Sequence, residues 1–244
     1  MSARLTLATA ARVLRQLRHD PRTLALLLVV PSGLVGLLAW VFDGTAVFDR
    51  VGAALLGVFP FVVMFLVTSV ATLRERQSGT LERLLTTPLG KADLVGGYAL
   101  AFGAVAVVQA SIASGLALWV FGLDVAGPQW LLVVVAVVDA VLGTAVGLLV
   151  SAFAATEFQA VQFMPAVVLP QFLLCGLLVP RDQMPTPLSY VSDVLPLSYA
   201  VDAMRTVTTR VDATGSALAD VGVVLAFAVV AVTLGALTLR RRTP

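Results

Sequence analysis

The sequence is poor in the side chains on which most enzyme chemistry depends. Its 244 residues include one cysteine, one histidine and one lysine, and charged residues make up only 12% of the chain. A single cysteine, Cys175, excludes a disulfide framework, and one cysteine with one histidine cannot supply the several ligands of a zinc site. The only histidine, His19, lies before the long apolar runs, so a serine–histidine catalytic pair within those runs is excluded as well.

A nucleotide-binding motif is also missing. The phosphate-binding loop has the pattern G-x-x-x-x-G-K-[ST], in which the glycines let the backbone cradle the phosphates. Here Gly90-Lys91 is followed by Ala92, and the upstream glycine of the pattern is lacking. The connections between the apolar runs are too short to contain a nucleotide-binding domain. We therefore expect this chain to bind no cofactor of its own.

Long apolar runs dominate the sequence instead. Hydrophobic residues make up 59% of the chain and the mean hydropathy is +0.98, which indicates a lipid rather than an aqueous environment. About 20 helical residues are needed to cross the roughly 30 Å core of a bilayer. Six runs approach or exceed this length: residues 24–42, 51–73, 94–121, 130–154, 161–179 and 221–239. The sequence therefore predicts an all-α polytopic membrane protein with six transmembrane helices, in which residues 1–244 form a single transmembrane domain.

Positive charges gather at alternate ends of these runs. The richer side holds Arg4, Arg12, Arg15, Arg18, Arg22, Arg74, Arg76, Arg83, Lys91, Arg240, Arg241 and Arg242, and the other side holds Arg50, Arg181, Arg205 and Arg210. The positive-inside rule places the richer side in the cytoplasm. We expect a multi-pass protein of the inner or plasma membrane with cytoplasmic N and C termini. The net charge of +2 does not indicate a nucleic-acid partner, because the basic residues lie against the membrane.

Residues 3–19 have the pattern of an amphipathic helix that precedes the first span. Apolar side chains share one face and basic side chains gather on another. Such an interfacial helix lies along the inner membrane surface, with its arginines toward lipid phosphates. A basic tail that only sets the topology is the alternative. The two faces are Leu5, Val13, Leu14 and Leu17, and Arg4, Arg12, Arg15 and His19.

The longest connection on the basic side, residues 74–93, is polar but patterned. Its sequence is RERQSGTLERLLTTPLGKAD, in which Ser78 or Thr80 can cap a short helix. Leu81 and Leu84 belong to an apolar patch on that helix, which suits insertion into a groove on a cytosolic partner. Packing of the helix beneath its own bundle is an equally good interpretation.

The longest connection on the other side, residues 180–220, contains a local duplication. PLSYVSDV begins at Pro187 and PLSYAVDA begins at Pro196. Proline suits the first turn of a helix, so the duplication predicts two short helices that begin at these prolines. Their mixed apolar and polar composition places them at the outer leaflet or slightly within it. Backbone ends at that depth must be buried in protein or face a wet cavity.

Two motifs together resemble the membrane subunits of ABC-2 type exporters, a family that includes bacterial drug and antibiotic-resistance pumps. The first motif is RERQSGTLERLLTTPL after the second span, and the second is GLLVPRDQMP followed by LPLSYAVDAMR before the last span. The resemblance implies a cytoplasmic coupling helix within residues 74–89, which transmits ATPase movement to the spans. The recurrent positions of that helix correspond to Glu75, Gly79, Thr80, Glu82, Leu84 and Pro88.

The resemblance also implies the arrangement on the outside and the assembly. Residues 180–205 correspond to a hairpin of half-helices that re-enters the membrane from outside, with Pro180, Pro187, Pro196 and Arg205 as its marker residues. Such permeases are dimers, so we expect a second permease subunit, identical or different. Two copies of a cytosolic ABC ATPase subunit supply the energy, and ATP and magnesium bind in that partner. The chain itself is then a non-catalytic subunit.

Asp139 is the only acidic residue in the middle of a run. An ionised aspartate at a helix centre costs about 2.5–3.5 kcal/mol on insertion scales. One interpretation is that Asp139 attracts a cationic substrate or carries a proton. The other, which we favour, is a neutral acid that fixes helix contacts near Gly143 and Gly147, whose spacing permits close approach.

Aromatic and amide side chains on the second and fifth runs are candidates for a substrate path. In the resemblance these two spans lie near the dimer interface, and aromatic, methionine and glutamine side chains accommodate amphiphilic molecules. Ordinary packing or lipid contact is the alternative. The candidates are Phe61, Met64, Phe65, Gln162, Gln171 and Phe172.

The scarcity of charge in the runs predicts a hydrophobic or amphiphilic substrate, such as a drug, an antibiotic or a lipid-like molecule. Export of a glycan or lipid-linked polymer is the main alternative within the family. The few tryptophan and tyrosine residues, three of each, argue against it because sugar channels use stacked aromatics. A membrane scaffold or an enzyme outside this family is a further alternative.

Overall fold

The structure is a computed structural model that describes residues 2–43, 45, 47–77 and 90–238. This part of the chain is helical and contains no β-strand, which confirms the predicted all-α class. The helices are α1 (Ala3–Arg18), α2 (Pro21–Val41), α3 (Val47–Gln77), α4 (Lys91–Trp119), α5 (Gln129–Ser151), α6 (Glu157–Leu174), a 3-10 turn (Arg181–Gln183), α7 (Thr186–Val194), α8 (Pro196–Thr209) and α9 (Thr214–Thr238).

Within the described part, five helices are long and apolar enough to cross a membrane: α2, α3, α4, α5 and α9. The predicted span at residues 161–179 is not among them, so the six-span count is not confirmed. Its helix, α6, has 18 residues, which reach about 27 Å at 1.5 Å per residue. It also contains three glutamines and two prolines, which lower its hydropathy.

The chain leaves helical geometry within the predicted run 161–179. Helix α6 begins before that run, at Glu157, where the Thr156 hydroxyl accepts a hydrogen bond from the Gln159 amide at 3.1 Å. It ends at Leu174, and Gly176 then has a φ of 90°, a left-handed conformation that glycine adopts without strain. The residues after Leu174 therefore connect α6 to the short helices rather than extend it.

Helix α3 is longer than its apolar run. It has 31 residues and spans about 46 Å. Its start at Val47 precedes the predicted run 51–73, and its end at Gln77 follows it. The residues Arg74 to Gln77, which the sequence placed in the connection 74–93, are therefore the last turn of a continuous helix.

Helix α5 lies at the centre of the bundle and packs most extensively against α3, then against α9 and α4. The face toward α3 is built from small residues. A Cβ atom on Gly143 would lie 2.3 Å from the carbonyl oxygen of Phe61, and one on Gly147 would lie 2.5 Å from that of Phe65. In both pairs the glycine follows the phenylalanine by the same number of residues, so the two helices run in the same direction. They meet along a ridge with a four-residue repeat.

Helix α1 packs against the beginning of α4 through small side chains. Thr6, Thr9, Ala10 and Val13 are buried, and a Cβ atom on Gly97 would lie 2.5 Å from the Cβ of Thr9. Leu7 and Leu14 remain exposed on α1. We call this end of the bundle the α1 end; it also holds the last turns of α3 and α5 and the first turn of α6.

The opposite end, which we call the hairpin end, holds the short helices α7 and α8. Helix α8 packs against α9, α3 and α5, and Leu197, Val201 and Met204 are among its buried residues. The connection between α4 and α5 bonds to the end of α8, because the amide of Gly127 donates to the carbonyl of Val207 at 2.9 Å. Helix α8 is thus part of the core and not a surface loop.

Candidate functional site

The last turn of α3 is bound to α1 through Glu75 and Arg12, and Arg12 is also bound to α4. The guanidinium of Arg12 donates two hydrogen bonds to the Glu75 carboxylate, at 3.1 and 3.0 Å. A third bond, from Nη2 of Arg12 to the Tyr98 hydroxyl, measures 3.0 Å, and the guanidinium carbon lies 5.9 Å from the Tyr98 ring centroid. Paired, partly buried guanidinium–carboxylate bonds of this kind are stronger and more directional than exposed ion pairs. The sequence placed Arg12 on the basic face of α1, toward lipid phosphates, but in the structure Arg12 binds within the protein.

The same turn of α3 is bound to the connection between α5 and α6. Arg74 donates to Glu157 at 2.9 and 3.0 Å, and Gln77 Nε2 donates to the carbonyl of Ala155 at 2.8 Å. Arg76 donates to the carbonyl of Ser151 at the end of α5. The residues that directly precede residue 78 therefore contact four other parts of the bundle: α1, the end of α5, the α5–α6 connection and the start of α6.

The chain that follows residue 89 is also bound to α1. The backbone amide of Ser2 donates to Oδ1 of Asp93 at 2.7 Å, and the hydroxyl of Thr6 donates to the same oxygen at 3.3 Å. The second oxygen, Oδ2, accepts from the Gly90 amide at 3.3 Å and so caps α4. Helix α1 is consequently bonded on both sides of residues 78–89, to Glu75 before them and to Asp93 after them.

The remaining predicted coupling positions, Gly79, Thr80, Glu82, Leu84 and Pro88, lie outside the described residues. Of the six predicted positions, only Glu75 is placed by the structure.

A cleft of about 390 Å³ opens at the α1 end between α1, α2, α3, α4 and α6. Its walls are mostly apolar and include Leu17, Leu26 and Phe102, while Asp20 and Arg74 contribute charge. Hydrogen bonds from the hydroxyl and amide of Thr23 to Asp20, at 2.6 and 3.2 Å, hold the pKa of that carboxyl below its usual value. A cleft with apolar walls and both signs of charge has the chemistry to hold an amphiphile.

The predicted path residues fall into separate environments. Phe61, Met64 and Phe65 are fully buried, and Phe61 and Phe65 share one apolar cluster with the partly buried Phe172. Gln171 is buried, its amide nitrogen donates to the carbonyl of Val167 at 3.1 Å, and its amide oxygen has no partner among the described residues.

Gln162 is exposed and is not part of that cluster. Phe61, Met64, Phe65 and Gln171 thus lie inside this chain, and Gln162 lies on its surface.

Asp139 is fully buried on α5, and neither carboxylate oxygen has a hydrogen-bond partner among the described residues. It faces the backbone of α3 at Gly57, since a Cβ atom there would lie 3.5 Å from Oδ2 of Asp139 and 3.7 Å from the side chain of Met204. Gly57 and Asp139 have the same residue offset as the pairs Phe61–Gly143 and Phe65–Gly147. Asp139 therefore belongs to the contact ridge between α3 and α5.

At the hairpin end, Arg181 joins the short helices. Its guanidinium donates to Asp193 at the end of α7 and to Asp202 on α8, and its Cζ lies 5.2 Å from the Tyr199 ring centroid. Burial raises the pKa of Asp202, and the ion pair with Arg181 opposes that shift. The hydroxyl of Ser192 donates to the carbonyl of Leu174 at 2.7 Å, which fixes α7 to the end of α6.

The four predicted marker residues of this region are placed as follows. Pro180 precedes the 3-10 turn, Pro187 is the second residue of α7, Pro196 is the first residue of α8, and Arg205 lies exposed on α8.

A family model described as ABC-2 type transporter matches residues 4–208 of the sequence. The chain belongs to the ABC-2 type transporter family. The match extends from the first turn of α1 almost to the end of α8, so it includes both ends of the bundle described above.

Curated members of the ABC-2 type transporter family are similar to this chain. A protein named probable multidrug ABC transporter permease YbhR, of Escherichia coli strain K12, is 28% identical over 152 residues, which are 62% of this chain and 41% of that protein. Linearmycin resistance permease protein LnrN, of Bacillus subtilis strain 168, is 27% identical over 186 residues, 74% of this chain and 47% of the relative. ABC transporter G family member 20, of Dictyostelium discoideum, is 28% identical over 139 residues, which are 57% of this chain and 19% of that protein. The alignments thus span less than half the length of each of these relatives.

For this ABC-2 type chain, sequence reasoning missed the roles of Arg12, Asp93 and Tyr98. Arg12 and Glu75 are 63 residues apart, and Asp93 and Ser2 are 91 residues apart. No local pattern signals such contacts. The one available hint was that Asp93 follows the capping glycine of an apolar run by three residues, a spacing typical of helix starts.

Proposed function

We propose that this chain is the membrane-spanning permease subunit of an ATP-driven ABC exporter, powered by a separate ATPase subunit. Membership of the ABC-2 type transporter family supports the permease role. The observation that supports the coupling is the bonding of the described residues on either side of residues 78–89. The turn that precedes them is bonded to α1, to the end of α5 and to the α5–α6 connection, and the turn that follows them is bonded to α1. A push on that segment is therefore transmitted to several helices at once.

The proposed topology has six spans, with α6 as the fifth, and the α1 end in the cytoplasm together with both termini. The arginines of α1 and of the last turn of α3 favour this orientation under the positive-inside rule. Helix α1 lies at the inner membrane surface, since Leu7 and Leu14 are exposed beside exposed arginines. Helices α7 and α8 form the outer re-entrant hairpin.

The proposed assembly contains a second permease subunit, identical or different, and two copies of a cytosolic ABC ATPase. ATP and magnesium bind in the ATPase, and this chain is non-catalytic. Residues 74–93, with Glu75, Gly79, Thr80, Glu82, Leu84 and Pro88, contact the ATPase. Nucleotide state and helix packing are then linked reciprocally, because each changes the free energy of the other.

The proposed substrate is hydrophobic or amphiphilic. The mostly apolar cleft at the α1 end supports this class over a glycan. Two relatives are named for multidrug transport and linearmycin resistance, which agrees with it. The α3 and α6 residues Phe61, Met64, Phe65, Gln162, Gln171 and Phe172 belong to the region through which the substrate passes when the subunits move. Asp139 acts as a packing residue on the α3–α5 ridge.

Reconstitution with the ATPase into proteoliposomes tests the proposal. We expect ATP-dependent movement of an amphiphilic dye, and a severalfold loss of dye transport and of ATPase stimulation in Leu84→Ala and Glu82→Gln. Thr45→Ala, at the hairpin end, serves as the matched control and keeps both activities. Unchanged transport and hydrolysis in both segment variants would refute the coupling role. Isolation of an active assembly that contains no ATPase would refute the exporter.

A further inference from the structure

A second cavity, of about 420 Å³, lies at the hairpin end between the first turns of α3, the connection that follows α6, and α8. Arg50 and Arg205 line it from α3 and α8. The rest of its lining is mostly apolar and includes Val51, Leu177 and Val201. The cavity therefore combines two cationic groups with an apolar wall.

Neither arginine forms an ion pair with the described residues. The nearby carboxylates have other partners. Asp202 accepts from Arg181, and Asp49 accepts from the backbone amide of Asp124 at 3.1 Å. Among the described residues, Arg50 and Arg205 thus have no carboxylate in direct contact, although Arg205 lies close enough to Asp202 to lower the pKa of that carboxyl.

The positive charge of this cavity contrasts with the rest of the hairpin end. Segments 43–50, 120–128 and 175–220 contain the aspartates 43, 49, 124, 182, 193, 202, 212 and 220, against four arginines. None of these aspartates lines the cavity. The aspartates repel an anion that approaches this end, and the two arginines of the cavity offer it two cationic groups together.

The threonines of the cavity do not supply hydrogen bonds to a ligand. The hydroxyl of Thr208 donates to the carbonyls of Met204 and Arg205 at 3.0 Å, and that of Thr209 donates to the carbonyl of Arg205 at 2.8 Å. Ligand recognition therefore depends on the two guanidinium groups, which carry planar pairs of donors that match phosphate oxygens.

We propose that this cavity binds the phosphate group of an anionic amphiphile, with Arg50 and Arg205 on the phosphate and the apolar wall against the rest of the molecule. The phosphate can come from a membrane phospholipid or from solution, and the apolar wall favours the phospholipid. The site requires neither ATP nor transport, so it stands apart from the exporter role.

Binding is measured with the full chain purified in a neutral detergent, as the shift of the thermal unfolding midpoint and by native mass spectrometry. The probes are short-chain phosphatidylglycerol, phosphatidylcholine and inorganic phosphate. We expect phosphatidylglycerol to bind more tightly than phosphatidylcholine. Arg50→Gln and Arg205→Gln each weaken its binding by about tenfold or more. Arg210→Gln is the matched control, because Arg210 is an exposed arginine of the same end that does not line the cavity.

The two sources of phosphate give different results. Inorganic phosphate that binds alone and displaces phosphatidylglycerol, with the same dependence on Arg50 and Arg205, assigns the site to a soluble phosphate. Weak binding of inorganic phosphate assigns it to the lipid. Arg50→Lys and Arg205→Lys keep the charge and give an intermediate loss, which guards against misfolding of the glutamine variants. The proposal is overturned if Arg210→Gln loses as much affinity as the cavity variants, or if both lipids bind equally well.

Discussion

Gly143 and Gly147 have no room for a side chain. A methyl group on either glycine would clash with the carbonyl oxygen of Phe61 or Phe65. The distances from those oxygens to the absent Cβ positions, 2.3 and 2.5 Å, are far below van der Waals contact. The obstacle is backbone, which cannot rotate away as a side chain can. These two glycines therefore set how closely α3 and α5 approach.

We expect Gly143→Ala and Gly147→Ala to destabilise the protein by about 1–3 kcal/mol each, because the added methyl group forces α3 and α5 apart. The measurement is the thermal unfolding midpoint of the purified chain in detergent. Gly222→Ala on α9 is the control, since a Cβ atom there meets nothing within 4 Å. Equal midpoints for all three variants would show that the ridge is not a close contact.

The spacing of these glycines predicted a close helix contact, but it did not predict the partner. Gly57 and Asp139 add a third position to the same ridge, and Asp139 fits there because Gly57 has no side chain. A sequence shows that small residues repeat every four positions. It does not show that α3, rather than another helix, supplies the facing carbonyls.

At the scale of whole elements, α1 is hydrogen-bonded both to the residues that precede the segment 78–89 and to those that follow it. We call this arrangement the α1 brace. Arg12 of α1 bonds to Glu75 and Tyr98, and Thr6 of α1 bonds to Asp93. Helices held only by packing open more readily than helices with such bonds, and hydrogen exchange detects the difference.

Arg12→Gln removes two bonds to Glu75 and one to Tyr98, so we expect several-fold faster amide exchange in α1 and in the last turn of α3. Hydrogen–deuterium exchange followed by mass spectrometry reads this directly. Arg15→Gln removes the same charge from the same helix, but the one hydrogen bond described for the Arg15 side chain is to the carbonyl of Ala11, within α1. Comparable exchange rates in the two variants would show that the bonds of Arg12 do not stabilise the α1 brace.

The elements themselves were predictable to different degrees. Runs of apolar residues identified α2, α3, α4, α5 and α9 because twenty such residues have few other stable conformations in lipid. Boundaries were less predictable, since α3 continues through the charged residues Arg74 and Glu75, which remain helical while bonded to neighbouring elements. The end of α6 depends on the φ angle of Gly176, which hydropathy does not report.

At the scale of the whole molecule, the proposed orientation follows from charge and is open to a direct test. Single cysteines at Thr45→Cys, on the hairpin end, and Ala11→Cys, on α1, are exposed positions at opposite ends of the bundle. In intact cells or spheroplasts we expect a membrane-impermeant maleimide to label Thr45→Cys at once. Ala11→Cys becomes labelled only after lysis.

The unmodified chain provides the background for this labelling, because Cys175 is fully buried. Labelling of Ala11→Cys in intact cells, with protection of Thr45→Cys, would show that the orientation is the opposite of the proposed one. It would also place residues 78–89 on the wrong side for a cytosolic ATPase.

Helix α3 carries Arg50 near one end and Glu75 near the other, about 37 Å apart along a single rod. Gly143 and Gly147 of α5 lie directly against the middle of this helix, at Phe61 and Phe65, so the two helices are in close contact between its ends. If a ligand that shifts the first turn of α3 alters the free energy of its last turn, a ligand at the last turn has the same effect on the first. Under the proposed coupling and the proposed lipid site, we therefore expect the rate of ATP hydrolysis at the α1 end to depend on the lipid bound at the hairpin end.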